Sequence, residues 1–124
     1  MIRYSIKVLP PKIQDIKISN VFVDKQICSD FNISKKFIKI PKKDYIFLQI
    51  MLKDMETMQN VDINYPHLYL DAYLYEEDKK DYTRKYLKFK RNGVIIKPKD
   101  KDLKIKIRLL RQEEVIDYCL IDIV

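Results

Sequence analysis

The residues of this chain that could do acid–base, nucleophilic or metal chemistry are few and widely separated. His67 is the one histidine, and Cys28 and Cys119 are the two cysteines. A histidine can serve as the base of a Ser or Cys nucleophile, but no local motif here places such a pair together. The three residues also lack the paired spacing of zinc ligands. The sequence therefore predicts no catalytic residue and no metal site, and it implies no cofactor.

The glycine content argues against several nucleotide and hydrolase sites. The chain has one glycine, Gly93, whereas the phosphate-cradling loop, the dinucleotide fingerprint and the nucleophile elbow each need more than one. The acidic residues at 76–78 and 113–114 fall in predicted turns, where carboxylates are solvated. Distant carboxylates could still meet as an acid–base pair, as glycosidases require, but a short chain without tryptophan does not favour sugar cleavage. We expect a protein that is not an enzyme.

Positive charge is the strongest chemical signal in the sequence. Residues 84–111 hold 12 Lys or Arg against two acids, Asp100 and Asp102, while the whole chain carries a formal net charge of +7. The rest of the chain is therefore net negative, with 13 bases and 16 acids. This segregation predicts one basic surface on an otherwise acidic molecule.

Several interpretations of this surface stay open. As a solvated sheet face, its lysines would protect a strand edge from aggregation. As a docking face, it would bind nucleic acid, anionic lipid headgroups or an acidic protein. The excess of Lys over Arg favours point-charge docking over bidentate base recognition. The candidate partner- or anion-binding residues are Lys88, Lys90, Lys97, Lys104, Lys106, Arg108, Tyr69 and Tyr73.

The basic segment is predicted to form a β-hairpin. Residues 84–91 and 94–97 flank Asn92-Gly93, which is the strongest hairpin signal in the sequence. A two-residue loop there would place Lys88 opposite Lys97, at a cost of about a few tenths of a kcal/mol. The predicted inward side chains are Leu87, Phe89, Val94 and Ile96. The predicted outward side chains are Tyr86, Lys88, Lys90, Ile95 and Lys97.

Two neighbouring strands would enlarge the basic surface. A strand at 103–110 would extend it with Lys104, Lys106 and Arg108. The strand at 67–76 would present His67, Tyr69, Asp71, Tyr73 and Tyr75 on one side and apolar side chains on the other.

The remaining pattern predicts further short strands. Alternating apolar and polar residues indicate strands at 2–8, 13–23 and 115–124, with a weaker one at 36–40. The pattern slips between Ile13 and Ile16, as a β-bulge would cause. Turns are predicted at 24–26, where Asp24 could bond the backbone two residues on, and at 76–81, 100–102 and 112–114. Seven or eight strands in one domain spanning 1–124 predict an antiparallel β-sandwich.

Residues 45–58 fit two structures. Residues 45–52 could form a strand buried on both faces, as Tyr-Ile-Phe favours. Alternatively, Asp44 caps a helix, as the later Met, Leu and Gln favour. The apolar stripe of that helix would be Phe47, Leu48, Met51, Leu52, Met55 and Met58. A short helical turn at 54–59 is expected in both cases, and the methionines are expected in the core rather than in a binding groove.

The cysteines and the apolar runs bear on location. Cys28 and Cys119 lie in apolar contexts, which favours two reduced thiols, although spacing alone leaves a bridge between them open. The longest uncharged apolar run, at 45–52, is far shorter than the ~20 residues that span a bilayer. No targeting segment is recognisable near the start. The sequence predicts an intracellular, cytoplasmic protein without a transmembrane segment.

Residues 45–124 resemble the conserved-region-two (C-two) family of calcium- and lipid-binding β-sandwich domains. The resemblance rests on Phe47-Leu48-Gln49-Ile50, on Tyr65-Pro66-His67-Leu68-Tyr69-Leu70 and on Tyr86-Leu87-Lys88-Phe89-Lys90. It implies a sandwich whose lysine-rich sheet face, here including Lys88 and Lys90, binds phosphoinositides. The turn at 112–114 lacks the aspartate cluster that holds calcium in that family, and residues 1–44 lie outside the resemblance.

The sequence as a whole favours a non-catalytic interaction module. We expect a small accessory or structural subunit that docks on a protein partner. The alternative is an anion-binding module that uses the basic face at 84–111 for anionic lipid or nucleic acid. The two are distinguished by retention on nucleic acid and on anionic vesicles.

Overall fold

Two five-stranded sheets pack against each other, as the predicted β-sandwich requires. The computed structural model describes residues 15–63, 67–76 and 84–124, and the predicted strand at 2–8 lies outside these ranges. In chain order the strands are β1 (Ile16–Val23), β2 (Gln26–Ile27), β3 (Phe37–Ile40), β4 (Ile46–Asp54), β5 (Asn60–Val61), β6 (Leu68–Glu76), β7 (Arg84–Lys88), β8 (Gly93–Ile96), β9 (Leu103–Arg111) and β10 (Glu114–Ile123). The fold class is confirmed.

The long strand β4 lies inside the first sheet, and the long strand β9 lies at the centre of the second. In the first sheet, β4 pairs with β1 along one edge and with β8 and β5 along the other, and β2 pairs with β1. The second sheet has the order β3-β10-β9-β6-β7. All pairs are antiparallel except that of β3 with β10. The apolar face of each sheet meets that of the other, and the core lies between them.

The core follows from the two-residue period of the strands. β4 buries Ile46, Leu48, Ile50 and Leu52, and leaves the side chains between them partly exposed. β9 in the same way buries Leu103, Ile105, Ile107 and Leu109. Full burial of one such side chain contributes about 1.5–3 kcal/mol. These two strands therefore supply much of the free energy that holds the sheets together.

The alternation also settles the structure of residues 45–58. The segment is the strand β4, half-buried rather than buried on both faces, and the helical alternative is wrong. The predicted helical turn at 54–59 is a turn in which Met58 N donates to Asp54 O at 2.7 Å. Every second residue from Ile46 to Leu52 is a large aliphatic, and this period of two places all of them on one side of a strand.

The turn after β1 lies where the sequence predicts it, but the side chain of Asp24 accepts a different hydrogen bond from the predicted one. Asp24 and Lys25 both have positive φ, 49° and 68°, as a two-residue hairpin turn requires. The Asp24 carboxylate accepts a hydrogen bond from Phe47 N at 3.0 Å, not from the backbone two residues on. This bond and the nearby Lys43 lower the pKa of Asp24.

The predicted hairpin through Asn92-Gly93 is wrong in its pairing. β7 pairs with β6 in the second sheet, whereas β8 pairs with β4 in the first sheet. Lys90 and Gly93 exchange two backbone hydrogen bonds around a tight turn, and Asn92 O then accepts from Ile50 N at 2.9 Å. That bond, at the edge of β4, directs the chain into the other sheet.

Gly93 has a different role from the one its position in a turn suggests. Its φ is not positive; the positive φ in this turn belongs to Arg91, at 57°. A Cβ on Gly93 would lie 2.9 Å from Cε2 of Phe47, closer than carbon atoms normally approach. The Phe47 ring lies over the backbone of Gly93, so a larger residue at this position would require the ring to move.

The predicted inward and outward sides of residues 86–97 are correct, although the predicted pairing of the two strands is wrong. The side chains that the sequence predicts to be inward are buried or half-buried: Leu87, Phe89, Val94 and Ile96. The outward set is exposed: Tyr86, Lys88, Lys90, Ile95 and Lys97. Alternation sets the side that each residue faces, and it does so whichever strand is the partner. The predicted opposition of Lys88 and Lys97 does not exist, because Lys88 lies opposite Asp71.

Two strands that contain a β-bulge, β1 and β10, lie beside each other where polar contacts join the two sheets. β1 is bulged between Ile18 and Asn20, and β10 between Val115 and Asp117. The bulge predicted between Ile13 and Ile16 begins outside the described residues, so it stays a prediction. Asp117 accepts from Ile18 N at 2.7 Å and forms an ion pair with Lys36.

Lys36 also contacts the backbone of Ile18. Lys36 Nζ donates to Ile18 O at 3.1 Å, so one ion pair satisfies both backbone polar groups of a buried residue at the edge of β1. We call Ile18, Lys36 and Asp117 the inter-sheet junction. An edge strand left without these partners would bury unpaired backbone groups.

Replacing Asp117 by alanine tests the inter-sheet junction. We expect the free energy of unfolding to fall by about 2–3 kcal/mol, because Ile18 N and Lys36 lose a charged acceptor in a largely buried place. Glu113→Ala, in the exposed turn before β10, is the control and should change it by less than about 0.5 kcal/mol. Urea unfolding measures both values, and equal stability of the two variants would contradict the role of the junction.

Candidate functional site

The outer face of the second sheet carries most of the predicted site residues. Because apolar residues of β6 and β9 point into the core, their intervening residues point away from it. We call the outward side chains of β6, β7, β9 and β10 the tyrosine–lysine face. Its members with described side chains are Tyr69, Asp71, Tyr73, Tyr86, Lys88, Lys104, Lys106, Arg108, Leu110, Val115, Tyr118, Leu120 and Asp122.

Strand pairing arranges these residues in rows across the sheet. One row runs Lys88, Asp71, Arg108, Tyr118. The next row runs Tyr86, Tyr73, Lys106, Leu120. Neighbours within a row are about 4.8 Å apart and successive rows about 7 Å apart. The tyrosine strand β6 thus lies between the two basic strands β7 and β9.

Asp71 is the electrostatic centre of the first row. It is only 4% exposed although it lies on the outer face. Its carboxylate accepts from Arg108 Nε at 2.8 Å and from Arg108 Nη2 at 2.6 Å. Such a two-pronged pair fixes the guanidinium in one plane. The hydrogen bond and charge of Asp71 also raise the pKa of Arg108, so the arginine remains positively charged.

Tyrosines hold the cations of the face against the sheet. The guanidinium carbon of Arg108 lies 4.7 Å from the ring centre of Tyr73, whose hydroxyl is 3.1 Å from Nη2. Lys106 Nζ lies 4.8 Å from the ring centre of Tyr118. Tyr86 meets Tyr73 edge to face, with ring centres 5.8 Å apart. The two cations are therefore held in place rather than extended into solvent.

The structure divides the predicted site. It brings together Lys88, Lys104, Lys106, Arg108, Tyr69 and Tyr73. Lys90 instead lies in the turn where the chain leaves this sheet, and Lys97 follows β8 in the other sheet. Lys97 Nζ lies 5.1 Å from the ring centre of Tyr45. The predicted site is divided because the chain crosses from the second sheet to the first at Lys90–Gly93. The predicted hairpin would have kept both segments in one sheet.

The sequence prediction also omits residues that β10 adds to the face. Tyr118 and Leu120 are outward and exposed, by 48% and 40%. The signal for them is the alternation of Tyr118 and Leu120 with buried Cys119 and Ile121. A bulge near Asp117 interrupts this alternation and hides it from a simple count along the strand.

The histidine and the cysteines lie apart from the central rows of this face. His67 precedes β6, has a φ of 70° and is exposed, and its carbonyl accepts from Gln112 N at 3.0 Å. Both cysteines are free thiols; Cys119 is buried and Cys28 half-buried. Burial raises the pKa of Cys119 to about 12 and also raises that of Cys28. Neither thiol is poised to ionise near neutral pH.

Comparisons with protein-family models, with curated proteins and with solved structures find no significant match to this chain. The resemblance to the C-two family therefore stays a prediction. Within residues 15–63, 67–76 and 84–124, no helix is long and apolar enough to cross a membrane. Those ranges also contain no cluster of three or more His, Cys, Asp or Glu side chains placed to hold a metal ion.

A double-mutant cycle tests the pairing of Asp71 with Arg108. Arg108→Met should lower the free energy of unfolding by about 2–4 kcal/mol, because it leaves the buried Asp71 without its partner, and Asp71→Asn should lower it by less, because Arg108 is partly exposed. The double variant should lose less than the sum, with a coupling of about 1–3 kcal/mol. Urea unfolding of the four proteins measures it.

Asp122→Asn is the matched control, because Asp122 lies outward on the same sheet but pairs with neither residue. It should change stability by less than about 0.5 kcal/mol. Strict additivity of Asp71→Asn and Arg108→Met would contradict the pairing.

Proposed function

We propose that this chain is a non-catalytic interaction module that docks on an acidic surface of a protein partner through the tyrosine–lysine face. One observation carries the proposal: the face presents cations held on tyrosines beside exposed apolar side chains. Such a module fits a small accessory or structural subunit of a larger assembly. The partner would supply carboxylates for the cations and apolar groups for the tyrosines.

The exposed side chains of the face support a protein partner. Tyr86 and Tyr118 are 54% and 48% exposed, and Leu120 and Val115 are exposed beside Tyr118. Tyrosine and arginine are enriched at protein interfaces, where they provide large contact areas at a small cost in conformational entropy. Aliphatic side chains such as Leu120 gain free energy from an apolar partner surface and gain nothing from a phosphate.

The charge balance of the face also supports a protein rather than a polyanion. Among its members with described side chains, four bases stand against Asp71 and Asp122, and Arg108 is already paired with Asp71. Nucleic-acid binding draws its affinity from many phosphate contacts, about 6–10 for a strongly salt-dependent protein. A face with few cations beyond this pair, such as Lys88 and Lys106, suits a few carboxylates better. Binding to anionic lipid or nucleic acid is the alternative that the experiment must exclude.

The properties of the thiols favour a non-catalytic role. Cys119 is fully buried in the core and its pKa is raised to about 12, so a thiolate nucleophile is disfavoured at neutral pH. The tyrosine–lysine face is an open surface on a sheet, and its carboxylate Asp71 is already bonded to Arg108.

The proposal is tested by direct binding to a purified partner. The wild-type chain serves as bait, and a protein it retains is purified and titrated back by calorimetry. Lys88→Glu/Lys106→Glu should weaken binding by more than about tenfold, because two contacts become repulsive. Lys25→Glu/Lys97→Glu makes the same change in net charge away from the face and should weaken binding less than about threefold.

Two results would overturn the proposal. One is equal loss with both double variants, which would indicate long-range attraction without a defined face. The other is retention on duplex DNA or on vesicles with anionic headgroups that exceeds retention on the protein and depends on Lys88 and Lys106. That result would favour the anion-binding module.

A further inference from the structure

The two cations at the centre of the tyrosine–lysine face lie on one strand. Lys106 and Arg108 are outward residues of β9, separated by one inward residue, Ile107. Tyr118 of β10 flanks Lys106 on one side, and Tyr73 of β6 flanks Arg108 on the other. The result is a line of positive charge along β9 with an aromatic ring on each side.

Arg108 retains hydrogen-bonding capacity after its internal contacts are made. Its Nε and Nη2 donate to Asp71, and Nη2 also donates to the hydroxyl of Tyr73. Nη1 donates to no atom of the residues that the structure describes, and a guanidinium nitrogen of this kind carries two N–H groups. Asp71 thus orients Arg108 without using all of its donors.

We infer that the ligand of this site is an extended acidic segment, with carboxylates at alternate positions, that lies along β9. The inference rests on the proposed function and specifies its partner. Alternate residues of an extended chain are about 6.6–6.8 Å apart, and Lys106 and Arg108 have this spacing because they are alternate residues of a strand. Two carboxylates of the segment then meet Lys106 and Arg108 together, each as a charge-assisted contact.

Preorganisation favours this arrangement over looser ion pairing. A lysine or arginine in solvent loses side-chain entropy when it binds, about 0.5–1.5 kcal/mol for each immobilised side chain. The stacking of Lys106 on Tyr118 and of Arg108 on Tyr73 has already restricted both side chains. The remaining side chains of an extended segment would point away from the face, toward the body of the partner.

The register is tested with two synthetic peptides of identical composition. Both have blocked ends and two aspartates among threonine and valine residues; in one, the alternating peptide, the aspartates are separated by one residue, and in the other they are adjacent, so that only one of them can face β9. Calorimetric titration of the full chain measures both affinities. The alternating peptide should bind about fivefold more tightly, which is the upper end of the range for one exposed ion pair.

Matched variants assign the binding to β9. Lys106→Gln should remove the preference for the alternating peptide and weaken its binding by about fivefold or more. Lys97→Gln, on the other sheet, should leave both affinities within about twofold of wild type.

The outcomes separate this inference from the proposed function. Equal binding of the two peptides, lost with Lys106→Gln, would overturn the alternating register while supporting an acidic partner for the face. No binding of either peptide would overturn the inference, and the protein titration would then decide the proposed function by itself. Binding that is insensitive to Lys106→Gln would contradict both.

Discussion

The alternation of β9 is the constraint on which both the core and the tyrosine–lysine face depend. This strand lies at the centre of its sheet, between β10 and β6. Ile105, Ile107 and Leu109 point into the core, while Lys106 and Arg108 point outward. A slip of one residue would bury the cations and expose the isoleucines. The large free energy of burying the apolar side chains therefore also fixes where the charges lie.

The positive charge of the outer face is partly compensated by Asp71 and is ordered by two tyrosines. A central arginine beside flanking lysines would repel them, but the buried Asp71 compensates Arg108 and holds its plane. Stacking on Tyr73 and Tyr118 then limits the motion of Arg108 and Lys106. A surface ordered in this way requires little rearrangement to bind. That is the physical basis of the proposal that this face docks on a partner.

The sequence predicts well what depends on local pattern. The β-sandwich class and the inward and outward sides of residues near 86–97 follow from a period of two along the chain. Pairing partners do not follow from it. Asn92-Gly93 has the composition of a hairpin turn, yet the bond from Ile50 N to Asn92 O carries the chain into the other sheet. The contact that decides the outcome joins residues about forty positions apart.

The candidate site is predicted in part for the same reason. Tyr73, Lys106 and Arg108 lie on strands whose alternation is regular, so their common side can be predicted. Lys97 is misplaced because its sheet depends on the crossing at Lys90–Gly93. Tyr118 is missed because the bulge beside Asp117 breaks the pattern of β10. The inter-sheet junction of Asp117, Lys36 and Ile18 has no signal in the sequence, since it joins three distant segments.

Lysine footprinting of the complex with the purified partner tests the central claim most directly. Mass spectrometry would compare the acetylation of each lysine in the free chain and in the complex. Lys88 and Lys106 should be protected in the complex, while Lys53 and Lys97, on the first sheet, react as in the free chain. Protection of Lys53 and Lys97 with unchanged reactivity of Lys88 and Lys106 would contradict docking through the tyrosine–lysine face.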